Sequence, residues 1–169
     1  MEPAPRSLRS LANGCQADRV WPEPAELLEM NFSNVSISGN RSVINGVVYN
    51  GKALSSELKL RGMPKVQMNV KPTGPRAQVV AYLYDVDALG WGKLITHGVR
   101  SLHWATPGQT VSFPIEMDMA AYNVPAGHHL TLVVDTQDAR YGKPTSDWFG
   151  VDLMFSGDLK SSLTIPYIN

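Results

Sequence analysis

Cysteine is nearly missing from this sequence. Cys15 is the only one in 169 residues, which rules out an intramolecular disulfide and any metal cage built from several thiolates. Net charge is missing as well: 15 basic and 15 acidic side chains cancel. Without a global positive field to gather phosphates or anionic lipid, nucleic acid is not an expected partner. No apolar run approaches the roughly 20 residues that span a bilayer, so no membrane partner is expected either. The opening MEPAPRSLRSLANG has no continuous apolar core and is broken by prolines, unlike a secretion signal. A cytoplasmic location follows as the expectation, with secretion left open for a parent chain that carries a signal of its own. Asn31, Asn34 and Asn40 each begin an Asn-x-Ser tripeptide, which matters only in a secreted eukaryotic chain. The Gly-x-Ser-x-Gly elbow that exposes a hydrolase serine is absent too. The nearest string, SISGN around Ser38, lacks both the spacing and a following helix.

What is present is a series of short β-type runs. A chain of this length has the size of one domain, and 43% hydrophobic residues with a mean hydropathy of −0.15 suit a globular one. Residues 1–30 are rich in Pro and Ala and read as an irregular arm or linker, in which EPAELLEM suggests one short helix starting near Pro24. Residues 31–169 read as a β domain. Asn45-Gly46 and Asn50-Gly51 are hairpin signals. The runs ELKLRG, KVQMNVKP, AQVVAYLYDV, KLITHGVRSLHW, TVSFPIEMDM, HLTLVVDT, VDLMFS and SLTIPYI follow with no room for crossover helices, which favours an antiparallel sandwich or barrel. Val66, Met68 and Val70 alternate with polar residues as in a half-buried strand. In AQVVAYLYDV both faces are apolar, Val79, Ala81 and Leu83 against Val80, Tyr82 and Tyr84, so that strand is expected to be central.

Candidates for chemistry are few. His128 and His129 are adjacent, so on a regular strand they point to opposite faces and cannot chelate one ion. His97 and His103 have an even spacing, but Gly98 between them suggests a bulge that would spoil it. Asp85 and Asp87, and Asp135 and Asp138, sit at strand ends. They lack an Asp-x-Asp-x-Asp-Gly calcium loop, and turn capping is the commoner role of such aspartates. No metal, cofactor or catalytic residue is expected. Trp91, Trp104, Trp148 and Phe149 lie in or beside predicted loops. For any one of them, capping of the core is the commoner role. As a group they are the best indication of a binding surface, since an indole offers a flat apolar face with one donor.

Four ordered segments carry a resemblance. Leu60, Gly62 and Pro64 begin one strand; Leu83, Asp85 and Val86 end another; Leu94 to Thr96, Gly98 and Arg100 follow; Tyr122, Pro125, Ala126, Gly127 and His128 complete the series. In order and spacing, over roughly residues 47–141, they resemble the C-terminal domain of the X-Pro dipeptidyl-peptidase, cocaine esterase and α-amino acid ester hydrolase family. The resemblance implies an all-β jelly-roll sandwich of the galactose-binding-like type, and a parent serine hydrolase that cleaves X-Pro peptide, ester or amide bonds. It also implies that the family's Ser, Asp and His belong to a separate α/β-hydrolase domain. His128 belongs to the strand motif, so no catalytic residue is carried over.

The expected function is therefore that of a non-catalytic domain, inactive alone, which packs against the α/β-hydrolase domain of the same parent chain and helps to cover its cleft. Trp91, Trp104, Tyr141 and Trp148 are the candidates for the substrate rim or the domain interface. Pairing with a second copy stays open. The alternative is a freestanding carbohydrate-binding module, because one sandwich fold serves many functions.

Overall fold

The computed structural model describes residues 6–10, 46–136, 138, 149–154 and 161–168. Among these every regular element is a strand: β1 (Arg6–Ser10), β2 (Val47–Asn50), β3 (Leu58–Gly62), β4 (Lys65–Pro72), β5 (Arg76–Val86), β6 (Gly92–His103), β7 (Val111–Glu116), β8 (Ala120–Val124), β9 (His129–Asp135), β10 (Phe149–Leu153), β11 (Ser162–Thr164) and β12 (Tyr167–Ile168). All pairings are antiparallel. One layer is the sheet β2-β9-β5-β6. The other has β4 at its centre, with β7 on one edge and β10 then β11 sharing the opposite edge, and β1 outside β10. A small sheet, β12-β3-β8, completes the sandwich.

The strand periodicity explains the layering. Val66, Met68 and Val70 on β4 face Val79, Ala81 and Leu83 on β5, and Phe113, Ile115, Val134 and Val151 fill the space between them. Transfer of such side chains from water stabilises by roughly 1.5–3 kcal/mol each before entropy is counted. The other face of β5 is buried too: Val80, Tyr82, Tyr84 and Val86 cluster with Val133, and the Tyr82 hydroxyl donates to Asp138. The central, doubly covered strand expected from AQVVAYLYDV is present, flanked by β9 and β6. Pro114 fits because β7 pairs only with β4 and so lies at a sheet edge, where a missing donor costs little.

Three expectations need correction. The arm read as irregular contributes β1, paired along its whole length with β10. RSLRS is too short and polar to signal a strand by itself. The helix expected near Pro24 lies outside the described residues. Asn50-Gly51 is not a hairpin, since β2 pairs with β9 and not with its successor; the glycine serves close approach, donating its N–H to the Leu130 carbonyl at 2.8 Å. A Cβ there would stand 3.0 Å from that same oxygen. Finally, Gly98 is in regular register opposite Ala81, and the bulge falls earlier, between the Leu83–Thr96 and Tyr84–Leu94 pairs. Gly98 is small because β7 presses on it: a Cβ would lie 2.8 Å from the Glu116 carbonyl oxygen and 2.9 Å from Ile115 Cγ2.

That contact closes one long side of the sandwich. Asp118 N–H donates to the His97 carbonyl at 3.0 Å and the Thr96 hydroxyl donates to the Asp118 carbonyl at 2.7 Å. On the opposite side β2 and β11 belong to different layers and share no ladder.

Candidate functional site

The densest polar cluster sits at the C-terminal end of β5. Asp85 follows Leu83 on the inward face of the strand and is only 6% exposed, so its carboxylate requires partners. It has two. Tyr122 on β8 donates its hydroxyl to Oδ2 at 3.0 Å, and His128 places Nδ1 2.8 Å from Oδ1. The residues that carry two separate segments of the family resemblance thus meet in space. The cluster ties the small sheet and the β8–β9 turn onto β5.

Local sequence aims both partners. Pro125 and Gly127 shape the turn before β9; Gly127 has φ +84°, a conformation glycine adopts without strain. Its N–H donates to the Leu54 carbonyl at 2.9 Å, and Leu54 N–H donates to the His128 carbonyl at 2.8 Å, which fixes the turn against the chain after β2. Leu132 and Leu130 beyond it are half-buried and Val134 is fully buried, as the pattern predicts. On the other side of Asp85, Lys93 of β6 holds its ammonium 5.5 Å from the centre of the Tyr122 ring, within cation–π range. The Tyr122 hydroxyl is pushed up to about 12 from 10, first by burial, then by its hydrogen bond to Asp85 and by that carboxylate's charge. All three keep it a neutral donor.

An imidazole oriented by a carboxylate is half of an acid–base apparatus. Among the described residues no hydroxyl or thiol is hydrogen-bonded to His128, so the pair orients and fastens. The four aspartates divide. Asp87 caps its turn as expected, its Oδ1 accepting from the N–H groups of Leu89 at 2.8 Å and Trp91 at 2.9 Å. Asp135 accepts from the next N–H, that of Thr136. Asp85 and Asp138 each receive a tyrosine hydroxyl from a distant strand. The histidines stay apart as well. His97 and His103 pair with Tyr82 and Arg76 in unbroken register, roughly 20 Å apart by strand rise, and His97 Nδ1 is 3.7 Å from Asp118. Among the described residues no three of His, Cys, Asp and Glu gather as a metal site.

Phe149, read as a loop residue, instead opens β10 and is buried in the core; of the four aromatic candidates for the rim or interface, Tyr141 and Trp148 lie outside the described residues. Trp91 is 46% exposed beside Leu89 in the β5–β6 turn, next to the Asp85 cluster. Trp104 is 91% exposed and follows β6 at its other end. The structure does not bring these two together: β6 separates them by roughly 36 Å at the usual strand rise. Trp104 also has φ +65°, a left-handed backbone rarely adopted by bulky residues.

A family model described as the X-Pro dipeptidyl-peptidase C-terminal non-catalytic domain matches residues 22–147. No curated protein sequence matches. Among solved structures, an aminopeptidase from a marine sediment archaeon, Thaumarchaeota archaeon, superposes with TM-score 0.77 at 10% identity, over 100% of this chain and 34% of that one. An α-amino acid ester hydrolase gives TM-score 0.70 at 13% identity, over 99% and 33%. A CocE/NonD family hydrolase from Staphylococcus aureus gives 0.62 at 13%, over 73% and 30%. The chain thus spans about a third of the length of the hydrolases it matches, and at these identities the likeness is one of fold. With three quarters of its residues inside the match, this chain belongs to the family of X-Pro dipeptidyl-peptidase C-terminal non-catalytic domains.

Proposed function

We propose that this chain acts as the accessory β-sandwich domain of a serine hydrolase of the X-Pro dipeptidyl-peptidase or acyl-esterase type. It packs against an α/β-hydrolase domain of the same parent chain and helps to cover the active-site cleft. The observation that carries this reading is the match to a non-catalytic domain family, joined to the one-third share of each hydrolase that the chain superposes on. Covering a cleft excludes water and narrows access while proton transfers occur elsewhere. A rigid sandwich suits that task because it presents fixed turns.

The Leu89–Trp91 turn is the docking element we favour. Its two exposed apolar side chains stand on a backbone pinned by Asp87 and buttressed by the Asp85 cluster. A partner touching Trp104 too would have to run the length of β6. The test is kinetic: in the parent hydrolase, Trp91→Ala is expected to lower turnover or thermal stability several-fold more than Trp104→Ala. Unchanged kinetics and melting for both variants would remove the docking role. Hydrolysis of an X-Pro or ester substrate by this chain alone would remove the accessory reading. The carbohydrate-module alternative gains no support from two tryptophans that share no platform. Pairing with a second copy is checked by light scattering, and the cytoplasmic location by fractionation of the cells that make the protein.

A further inference from the structure

The open long side of the sandwich, between β2 with β9 and β4 with β11, holds a cleft of about 450 Å³. Its floor is Val66, Met68 and Val134, all buried, and its walls include Leu132, Leu163 and Ile165, all half-buried. The volume is about three times the roughly 150 Å³ apolar cavity that holds one benzene, and it falls within the usual range for small-molecule sites. At that packing it has room for about eighteen carbons, ample for a chain of about eight to ten.

The mouth is not neutral in character. Among the described residues Lys52 is the only charged one lining the cleft, no carboxylate joins it there, and it is exposed without an ion pair. Asn50 does not add to it, because its side chain turns to the outer face of the sheet, where its oxygen accepts from the Thr131 hydroxyl at 2.8 Å. An apolar body with an ammonium at its mouth complements a ligand with a hydrocarbon chain and a terminal anion. We propose that this cleft binds a medium-chain carboxylate, or an acyl group bearing an equivalent anionic head, with its chain between the layers and its head at Lys52. The site is distinct from the Leu89–Trp91 turn and does not depend on how the domain docks.

Calorimetric titration of the purified protein with octanoate tests this, with 1-octanol and octylammonium as comparisons. Octanoate is expected to bind in the millimolar range or tighter, and octylammonium at least about tenfold more weakly, as charge complementarity demands. Lys52→Glu, at an exposed position, should weaken octanoate about tenfold or more and leave octanol unchanged. Leu163→Trp should abolish binding of both by filling the cleft. Ile165→Trp repeats that test from a second wall position should Leu163→Trp not fold. The proposal is overturned by any of three results: no octanoate binding up to about 10 mM, well above the affinity that burial of such a chain implies; equal affinity for octanoate and octylammonium; or affinity indifferent to Lys52→Glu. Occupation of the cleft by the chain's own residues would register as the first of these.

Discussion

Asp85 and His128 are 43 residues apart in the chain and meet at 2.8 Å, with the carboxylate nearly excluded from water. Hydrogen bonds to a buried charge contribute more than neutral ones, about 1.5–3 kcal/mol. Asp85→Ala should therefore cost about 2–3 kcal/mol, because it also strands the Tyr122 hydroxyl. Asp85→Asn should recover part of that loss by keeping an acceptor. Urea unfolding of the two variants checks the order; equal, negligible losses would mean that the cluster is ornamental.

Tyr122 makes a prediction about alkali. Its folded-state pKa is raised to about 12 from 10, so the native protein holds this proton more tightly than the unfolded chain does. The corresponding stability is fully present below pH 10 and is lost as pH rises from 10 toward 12. Tyr122→Phe should flatten that part of the stability profile, and a tyrosinate absorbance titration should lose a component near pH 12.

Gly98→Ala is expected to destabilise by about 1–3 kcal/mol, the usual cost of overpacking. The new methyl would meet the Glu116 carbonyl at 2.8 Å and the Met117 Cα at 3.1 Å, both backbone atoms of β7 and its turn. Gly108 gives the comparison, with φ +77° and nothing within 4 Å: Gly108→Ala should cost only the conformational part, about 1 kcal/mol. A thermal melt that ranks them the other way round would contradict the close approach of β6 and β7.

Trp104 combines full exposure with a left-handed backbone. Strain of that kind costs on the order of 1–3 kcal/mol, so Trp104→Gly should raise stability by up to about 1 kcal/mol once glycine's greater unfolded-state freedom is offset. A loss on substitution would mean that the indole packs against something in the folded protein.

How much of this was legible follows from the range of each signal. β5 announced itself because both alternating sets of its side chains are apolar, and the turn before β9 because Pro125 and Gly127 limit the backbone within four residues. β1 gave no such sign, since an edge strand borrows its order from β10 and needs no apolar run. Gly98 and Gly51 drew attention as turn or bulge residues, yet each answers to a strand elsewhere that presses on it, a fact local pattern does not contain. Asp85, Tyr122 and His128 each stood out through the family resemblance, but their partnership spans 37 and 43 residues. Taken singly, an aspartate at a strand end and a histidine after a turn look like surface groups. The cleft was illegible for the same reason: Leu132 and Leu163 look like ordinary core residues until the layers are seen to part between them.

The two long margins of the sandwich are unequal, and that has a mechanical consequence. The molecule resembles a book bound along one spine, where Gly98 lets β6 and β7 touch, with β2 and β11 as its fore-edge. Anything that thickens the spine tilts both covers, so the width of the fore-edge is governed from the far side of the core. A single methyl group at Gly98 should therefore change how readily backbone amides along β2 and β11 exchange with solvent, although neither strand touches it.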